Sequence, residues 1–507
     1  MLALSEIERR EREIKTEFLF RMARELDTRK AALTKQVDEI NTSLSNLWAE
    51  YGSMHNSGVY ANRIPTELLC LIFSYCLSTP KLSGDGFYVY EDERPSTEVV
   101  LSHVCQHWRS VAISDPALWR TFRYKTPRWK RDPLSRFNTY MKRSYPVPID
   151  LFVHCNFTSH EDMTLLNAAA LQVHRWRRVT ILSEDNKFNW SQFQYALMDK
   201  EAPNLEYFSF RPSLFVSPHT NSGHISPVSI LAPKIFRLGA PKLTQIFLDS
   251  TAPYFFLPPF CNIQTFSLDA KYIGPSSITW NAFLHILAIP SLANLSIGGE
   301  VLLGPLSDQL HERINAPTLK HLRWSGDPAC LDHLLSYLSA PRLESLILCR
   351  MHLPPKPTHP NAGLSLPSLR HLYIIECVNL SAHYIQFLAS GSPNIVHLAM
   401  SYYRPEGGHL LNYLNEEFDA GREHWMNLES LTAYIDGTDQ VAPYFTFIRQ
   451  RKREGRSMTL RVSNRLYQAW AEHLPQGYDA LGMTCKVEPW MSVSDILPAQ
   501  WPPGGQA

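Results

Sequence analysis

The stretches APTLKHLRW (316–324), APRLESLIL (340–348), LPSLRHLYI (366–374) and SPNIVHLAM (392–400) repeat one pattern, and APNLEYFSF (202–210), APKLTQIFL (240–248) and IPSLANLSI (289–297) carry it earlier in the chain. In each stretch a proline and one further residue precede three apolar residues, spaced three and then two positions apart. Two more units, starting at Ile263 and Leu428, keep the apolar residues but lack the proline. Successive units start 20 to 38 residues apart, and such a period is the signature of a repeat architecture.

Each repeat predicts a strand followed by a helix. The last two apolar residues lie two positions apart, so they point to one face of a strand, and the proline, which lacks an N–H, is expected to open the strand at its edge. Apolar residues at helical spacing between the stretches predict helices, as from Leu331 to Leu338 and from Leu410 to Phe418. Because each unit has one apolar face, stacked units bury it together.

The limits of the repeat region follow from the same pattern. Apolar strings at Ile149–Val153 and Val179–Leu182 predict that the strands begin near residue 147, and Met458–Val462 predicts the last strand. We therefore assign residues 125–488 to an α/β repeat region. Residues 489–507 are rich in proline and tryptophan and are expected to form a C-terminal tail.

Residues 1–55 predict a long helix. From Leu19 to Tyr51, apolar residues recur at alternating steps of three and four with Lys30 as the one polar interruption, which is a heptad seam. Glycine and proline are absent before Gly52, so the helix can be continuous. Two interpretations stay open: the seam pairs with another chain, which allows a homodimer through residues 19–51, or the helix folds back on its own chain.

Residues 56–124 predict three short helices. RIPTELLCLIFSYCL (63–77) and LSHVCQHWRSVAISDPALW (101–119) each carry apolar residues on one helical stripe. Asp115 and Pro116 supply the cap and first turn of the third helix. Three helices this short cannot bury two full apolar stripes among themselves, so part of this surface is expected to meet a partner.

Composition favours a protein of the cytosol or nucleus with protein partners. The sequence has 44% hydrophobic and 19% charged residues, a formal net charge of +1, and nine cysteines without a C-x-x-C pair, which argues against a disulfide framework. No signal peptide or membrane span is expected. Basic clusters at Arg128–Arg131, Arg175–Arg178 and Arg449–Arg456 raise nucleic acid as an alternative partner, but the neutral charge balance favours solvated helix ends.

The sequence carries no motif for catalysis or cofactor binding. A P-loop, G-x-G-x-x-G, H-E-x-x-H, G-x-S-x-G and zinc-type cysteine pairs are all absent. We therefore expect no enzymatic activity and assign no catalytic residue, cofactor or metal. His321, His371 and His397 occupy equivalent repeat positions, but Ser345 interrupts the column and no carboxylate or thiolate joins it, so polar surface residues are the better interpretation.

The pattern Ile64-Pro65-x-Glu67-Leu68-Leu69-x-x-Ile72-Phe73, followed by Val104-Cys105-x-x-Trp108-Arg109-x-Val111-Ala112 and Asp115-Pro116-x-Leu118-Trp119, resembles an F-box. The preceding heptad helix, the inserted loop between residues 78 and 97 and the final Leu-Trp resemble the fungal F-box proteins in particular. The sequence has Ile64 where leucine usually precedes the proline, which is a volume-conserving change.

The resemblance implies a substrate-recognition subunit of a Skp-cullin-F-box ubiquitin ligase. Nine residues would form or support the face that binds a Skp-type adaptor, itself attached to a cullin scaffold. They are Ile64, Pro65, Leu68, Leu69, Ile72, Phe73, Val104, Cys105 and Trp108.

The repeat stretches resemble leucine-rich repeats, which implies an α/β solenoid that binds a target protein. The asparagine or cysteine expected three residues after the third apolar position is mostly replaced, as by Asp327 and Met351. Exposed strand positions would hold the target, and our candidates are Tyr207, Gln245, His321, Arg323, His371, Tyr373 and His397. The alternative function is a repeat-based interaction scaffold, oligomerised by its heptad helix and unconnected to ubiquitin.

Overall fold

A computed structural model describes residues 2–77, 81–82, 88–89, 96–125, 132–155, 160–183, 190–212, 227–270, 278–304, 313–353, 364–378, 380–401, 409–434, 441–456, 458–463 and 485–488. The chain divides into two compact units. Unit 1 comprises Met1–Ser78 and Arg94–Leu118, and unit 2 comprises Thr79–Glu93 and Trp119–Ala507. The expectations for the tail at 489–507 and for the cluster Arg128–Arg131 lie outside the described residues.

Unit 1 is helical. A single helix, α1, covers Leu2–Ser57, and the shorter helices are α2 (Thr66–Cys76), α3 (Thr97–Ser102) and α4 (Gln106–Ser114). Two 3-10 helices cover Tyr60–Arg63 and Pro116–Trp119. The predicted long N-terminal helix is confirmed, and it is longer than the heptad seam alone indicated.

The second predicted helix of this region is in fact two helices. The chain turns at His103–Cys105, where Cys105 adopts an extended conformation and its Sγ accepts a hydrogen bond from the Trp108 N–H at 3.4 Å, capping α4. The Arg109 side chain donates from Nε to the Ser102 carbonyl at the end of α3, at 2.9 Å. Val104 and Trp108, predicted on one helix stripe, are therefore separated: Val104 lies in the turn and Trp108 lies on α4.

Unit 2 contains a parallel sheet of 14 strands whose spatial order follows the chain. The strands are β1 (Thr121–Lys125), β2 (Ile149–Cys155), β3 (Trp176–Ser183), β4 (Tyr207–Arg211), β5 (Gln245–Asp249), β6 (Thr265–Asp269), β7 (Asn294–Gly299), β8 (His321–Gly326), β9 (Ser345–Cys349), β10 (His371–Ile375), β11 (His397–Ser401), β12 (Ser430–Tyr434), β13 (Thr459–Ser463) and β14 (Cys485–Glu488). The predicted mixture of helices and strands, with a large parallel sheet in this part of the chain, is confirmed.

Helices occur in most of the connections between these strands. They are α5 (Pro133–Arg143), α6 (His160–Ala170), α7 (Ser191–Met198), α8 (Ala252–Phe255), α9 (Trp280–Leu287), α10 (Pro328–Tyr337), α11 (Ala382–Gly391), α12 (His409–Asp419) and α13 (Val441–Arg453), with a 3-10 helix at Val173–Arg175. Two-residue strands pair at Ile278–Thr279 with Leu302–Leu303, at Ile314–Asn315 with Leu338–Ser339, and at Lys81–Leu82 with Tyr88–Val89.

Identical repeat positions stack into continuous apolar rows. The second residue of β1 pairs with Leu151, and the same register continues through the sheet as far as Leu460. The members of this row are Phe122, Leu151, Val179, Phe208, Ile246, Phe266, Leu295, Leu322, Leu346, Leu372, Leu398, Leu431 and Leu460, each at most 1% exposed. Neighbouring side chains in this row thus cover one another from strand to strand.

The sheet begins one strand earlier than predicted. Strand β1 pairs in parallel with β2, although the sequence placed the first strand near residue 147. The predicted boundary between residues 124 and 125 therefore falls inside a strand. Thr121–Lys125 follows Trp119, which has the spacing of the repeat's first apolar residue but was assigned to the end of the predicted F-box, and the proline two residues before it is missing, so the strand was not predicted.

The repeat proline lies in a turn before the strand. All seven repeat strands start four residues after their proline, as with Pro203 and Tyr207. In six units the first apolar residue donates its N–H to the residue before the proline, which closes a β-turn; the Leu205 N–H bonds to the Ala202 carbonyl at 3.2 Å. Proline suits the second position of such a turn because its φ is preset.

A side-chain ladder joins consecutive turns. The residue directly before the first apolar position donates to a backbone carbonyl of the preceding unit in five places, at 2.6 to 3.0 Å. The donors are Asn204, Asn262, Ser291, Ser368 and Asn394. At the position expected from leucine-rich repeats, Asp327 instead caps α10. Among the described residues at that position, Cys377 alone donates to the preceding unit, from its thiol to the Leu348 carbonyl.

Removing one hydrogen bond of this ladder should weaken the sheet. Asn394→Ala leaves the Pro367 carbonyl without its donor, whose Nδ2 lies at 2.8 Å. We expect the free energy of unfolding to fall by about 1 kcal/mol. Urea unfolding followed by circular dichroism measures it. Asn412→Ala on the exposed side of α12 is the matched control. An equal effect of both changes would show that the Asn394–Pro367 hydrogen bond contributes nothing to stability.

Candidate functional site

Unit 1 exposes an apolar strip on α2. Leu68, Leu71, Ile72 and Tyr75 are 51%, 55%, 42% and 88% exposed. At 100° per residue these four side chains cover an arc of about 100° of the helix. Val100, Val104 and Ile113 on the neighbouring elements are also 40–55% exposed. We group the strip with these three residues by their exposure and call the seven together the apolar face of unit 1.

The opposite side of α2 forms the core of unit 1. Leu69 and Phe73 are completely buried, and the Phe73 ring packs against Trp108 with ring centroids 5.1 Å apart. The nine residues predicted to bind an adaptor therefore fall into exposed and buried groups. Leu68, Ile72 and Val104 are exposed on the face, as is Pro65 at the start of α2, whereas Leu69 and Phe73 support it from below.

The predicted list also contains three half-buried residues, Ile64, Cys105 and Trp108. Cys105 caps α4, so its contribution is to set the corner between α3 and α4. Leu71, Tyr75, Val100 and Ile113 were not predicted. The signal for the two on α2 was the run of six apolar residues from Leu68 to Phe73, because a helix that is apolar all round has more than one face to cover.

Unit 2 presents a polar face on its sheet. The register places all seven predicted target residues there, in two rows. Tyr207, Gln245, His321, His371 and His397 belong to the row formed by the first residue of each strand. Arg323 and Tyr373 belong to the row two residues further along.

These side chains are less accessible than predicted. Tyr207 is only 2% exposed, because its ring packs against Phe247 on the next strand at a centroid distance of 5.1 Å, and the expectation of an exposed tyrosine there is wrong. The other six are half-buried. Strands about 4.8 Å apart bring side chains on one face close enough to cover each other.

A shallow depression lies at one part of the polar face. It is lined by Arg178, Glu206, Tyr207, Lys242, Thr244 and Gln245. Two of these residues, Tyr207 and Gln245, were predicted from the repeat, whereas the charged neighbours were not. The depression is therefore lined by two cations, one carboxylate and three uncharged polar side chains.

The remaining candidates form a second group, around β8 to β11. The His371 and His397 rings stack with centroids 4.7 Å apart. Burial lowers the pKa of His321, His371 and His397, and for His371 the neighbouring imidazoles lower it further. Burial raises the pKa of Tyr373, against the opposing influence of Arg461. At neutral pH this group presents uncharged imidazoles, a phenol and the guanidinium of Arg323.

The histidine column remains interrupted. Ser345 stands between His321 and His371 in the register, as predicted. Among the residues that the structure describes, no group of three or more histidine, cysteine, aspartate or glutamate side chains is arranged to hold a metal ion.

Several arginines of the basic clusters have structural partners. Arg175 is buried and donates to the Met141 and Val147 carbonyls, and Arg451 is buried and donates from Nη2 to the His424 carbonyl at 2.7 Å. Arg177 pairs with Asp150. The expectation of solvated helix ends is therefore wrong for Arg175 and Arg451, whose guanidinium groups hold neighbouring chain segments in place.

The heptad seam of α1 is uncovered: Leu19, Leu26, Leu33, Ile40 and Leu47 are 50–65% exposed. The charged residues along α1 also make it too polar for a bilayer, and no other helix within the described ranges is long enough to cross one.

Comparison with models of known protein families finds no match to this sequence. Comparison with curated proteins likewise finds none that is significantly similar.

Acid should destabilise unit 2 through its histidines. A histidine whose pKa is lower in the folded chain than in the unfolded chain takes up protons on unfolding, so stability is complete above the ordinary value of 6.5 and falls as the pH drops below it. We expect His371→Gln with His397→Gln to reduce this loss between about pH 7.5 and pH 5. Urea unfolding across that range measures it. The original chain measured in parallel is the reference, and identical curves for the two chains would contradict the prediction.

Proposed function

We propose that the chain is a substrate-recognition subunit of a Skp-cullin-F-box ubiquitin ligase. In this proposal, unit 1 is an F-box that binds a Skp-type adaptor through its apolar face. The adaptor connects it to a cullin scaffold, in the cytosol or nucleus, and the ligation chemistry belongs to other subunits. The observation that carries the proposal is the exposed strip of Leu68, Leu71, Ile72 and Tyr75 within the quoted F-box pattern.

The apolar face is large enough to matter for binding. Covering seven side chains that are 40–88% exposed contributes on the order of 8 kcal/mol gross. That is similar to the ~4–15 kcal/mol cost of association, so a stable complex needs most of the face together with polar contacts at its rim. Loss of two central side chains should therefore abolish binding.

The repeats of unit 2 are proposed to be leucine-rich repeats that form a solenoid and bind the target protein. In-register parallel strands, one per unit, support this proposal. The polar face supplies hydrogen-bonding and aromatic groups from successive strands, which suits an extended protein segment. The alternative, a repeat scaffold unconnected to ubiquitin, is favoured by the exposed seam of α1 and differs in requiring no adaptor.

Binding of a Skp-type adaptor tests the first part. We expect Leu68→Glu with Ile72→Glu to weaken it by at least roughly 30-fold, because both side chains lie in the centre of the strip. Isothermal titration calorimetry with a purified adaptor measures the affinity. Both residues are exposed, so the free energy of unfolding should change by less than ~0.5 kcal/mol.

Ser74→Glu, about 120° around α2 from Leu68, is the matched control and should bind normally. Phe73→Ala should act differently, lowering the free energy of unfolding by about 3–5 kcal/mol. An original chain that shows no association at micromolar concentrations would contradict the F-box assignment and leave the scaffold function.

Target capture tests the second part. In a chain with the adaptor face already inactivated by Leu68→Glu and Ile72→Glu, targets should accumulate on unit 2. We expect Arg323→Ala with Tyr373→Ala to reduce their recovery by ~10-fold or more, measured by quantitative mass spectrometry. Arg342→Ala with Tyr195→Ala changes the same residue types at exposed positions off the polar face. Equal loss in both pairs would show that the polar face has no special role.

A further inference from the structure

No part of the described chain covers the side chains of helix α1. Its 56 residues form one continuous helix, and every side chain described in it is exposed. Helices in water are stabilised mainly by packing of an apolar face, since propensity alone holds them only marginally. Leu26, Leu33 and Val37 are 61%, 54% and 54% exposed. A helix with this composition therefore needs a second helix along it.

The heptad assignment identifies the kind of partner. In the repeat abcdefg, the d positions are Leu19, Leu26, Leu33, Ile40 and Leu47, and the a positions are Ala23, Lys30, Val37, Leu44 and Tyr51. Leucine at d is typical of parallel two-stranded coiled coils, and a single lysine or asparagine at a is a known device for selecting register and strand number. The seam is about 50 Å long.

The surface of α1 already has holes of the kind that knobs-into-holes packing fills. A shallow concavity is lined by Leu26, Arg29, Lys30, Leu33, Thr34 and Val37. All six occupy a, d, e or g positions. Leu26, Arg29, Lys30 and Leu33 outline the hole for an a side chain, and the next hole, bounded by Lys30, Leu33, Thr34 and Val37, receives a d side chain.

Ion pairs within the helix leave this surface free. Arg21 pairs with Glu17 and Lys35 with Glu39, and all four residues fall at b, c or f. The a, d, e and g positions between residues 19 and 51 amount to 20 residues, close to the ~20 a side of a standard-size interface.

We propose that residues 19–51 of two copies of this chain form a parallel, in-register, two-stranded coiled coil. Lys30 then faces Lys30 of the second copy, and each ammonium group reaches water beside the seam because the lysine stem is long. In an antiparallel pair an a residue faces a d residue, so Lys30 would lie against an apolar side chain. A third strand would close off its route to solvent.

The dimer would double every surface described above. Each assembly would carry two apolar faces of unit 1 and two polar faces of unit 2. Once a target with two binding segments is bound through one segment, the coiled coil would hold the second binding surface nearby. The second segment would then bind at a high effective concentration.

Sedimentation equilibrium of the full chain tests the association. We expect a dimer at micromolar concentration, and Leu33→Glu should weaken it by roughly 30-fold or more. Ala32→Glu, on the adjacent outward c position, is the matched control and should remain dimeric. A monomeric original chain, a trimer or tetramer, or a dimer insensitive to Leu33→Glu would overturn the proposal. Circular dichroism of each variant excludes unfolding as the cause.

Orientation is tested by mixing two chains. A Lys30→Glu chain, tagged and mixed with the original chain, should form mixed dimers in preference to either homodimer, because the parallel register places glutamate opposite lysine. The mixed fraction should exceed the statistical half, measured by native mass spectrometry, and should fall toward one half in high salt. A statistical mixture at low salt would overturn the parallel register. Lys35→Glu, at an outward f position, is the control and should mix statistically.

Discussion

The parallel register of the large sheet is the constraint on which unit 2 depends. It aligns one buried apolar side chain from each of strands β1 to β13 into an unbroken row, from Phe122 to Leu460. Since side chains alternate between faces, a slip of one residue in any strand would move its apolar residues to the polar face and its polar residues into the core. The row therefore fixes the register of every strand by the same means.

The side-chain ladder between consecutive turns also fixes the register, at the N-terminal end of the strands. A proline-containing turn directs the chain into the strand, and the asparagine or serine after the proline donates to the previous turn, as Asn394 does to Pro367. The leucine-rich repeats that this chain resembles place such a ladder after the strand. Here the Asp327 side chain is used for helix capping instead, so the equivalent linkage has moved to the other end of the strand.

The sequence predicted the strands of the repeat region well and the site less well. Each of the nine repeat units has a strand starting two residues after its first apolar residue, because period-two apolar spacing and a turn-forming proline agree. Strand β1 was missed because its leading apolar residue, Trp119, was assigned to the F-box and no proline stands two residues before it. The break at His103–Cys105 was also missed, since apolar spacing continues across it and only the cysteine cap marks the corner. The burial of Tyr207 depends on Phe247, a contact between units that spacing within one unit does not reveal.

The polar face combines half-buried side chains with little charge of its own. Three imidazoles whose pKa is lowered by burial stay neutral near pH 7, and Ser345 lies among them with its side chain buried. Such groups lose little hydration when a partner covers them, compared with fully solvated charges. Selectivity would then come from matching donors and acceptors along successive strands, since a mismatch leaves a buried polar group unpaired. In the proposed target-binding role, the half-buried polar groups would select one extended segment over many, and the charged depression beside Gln245 would add a second, electrostatic criterion at a different strand.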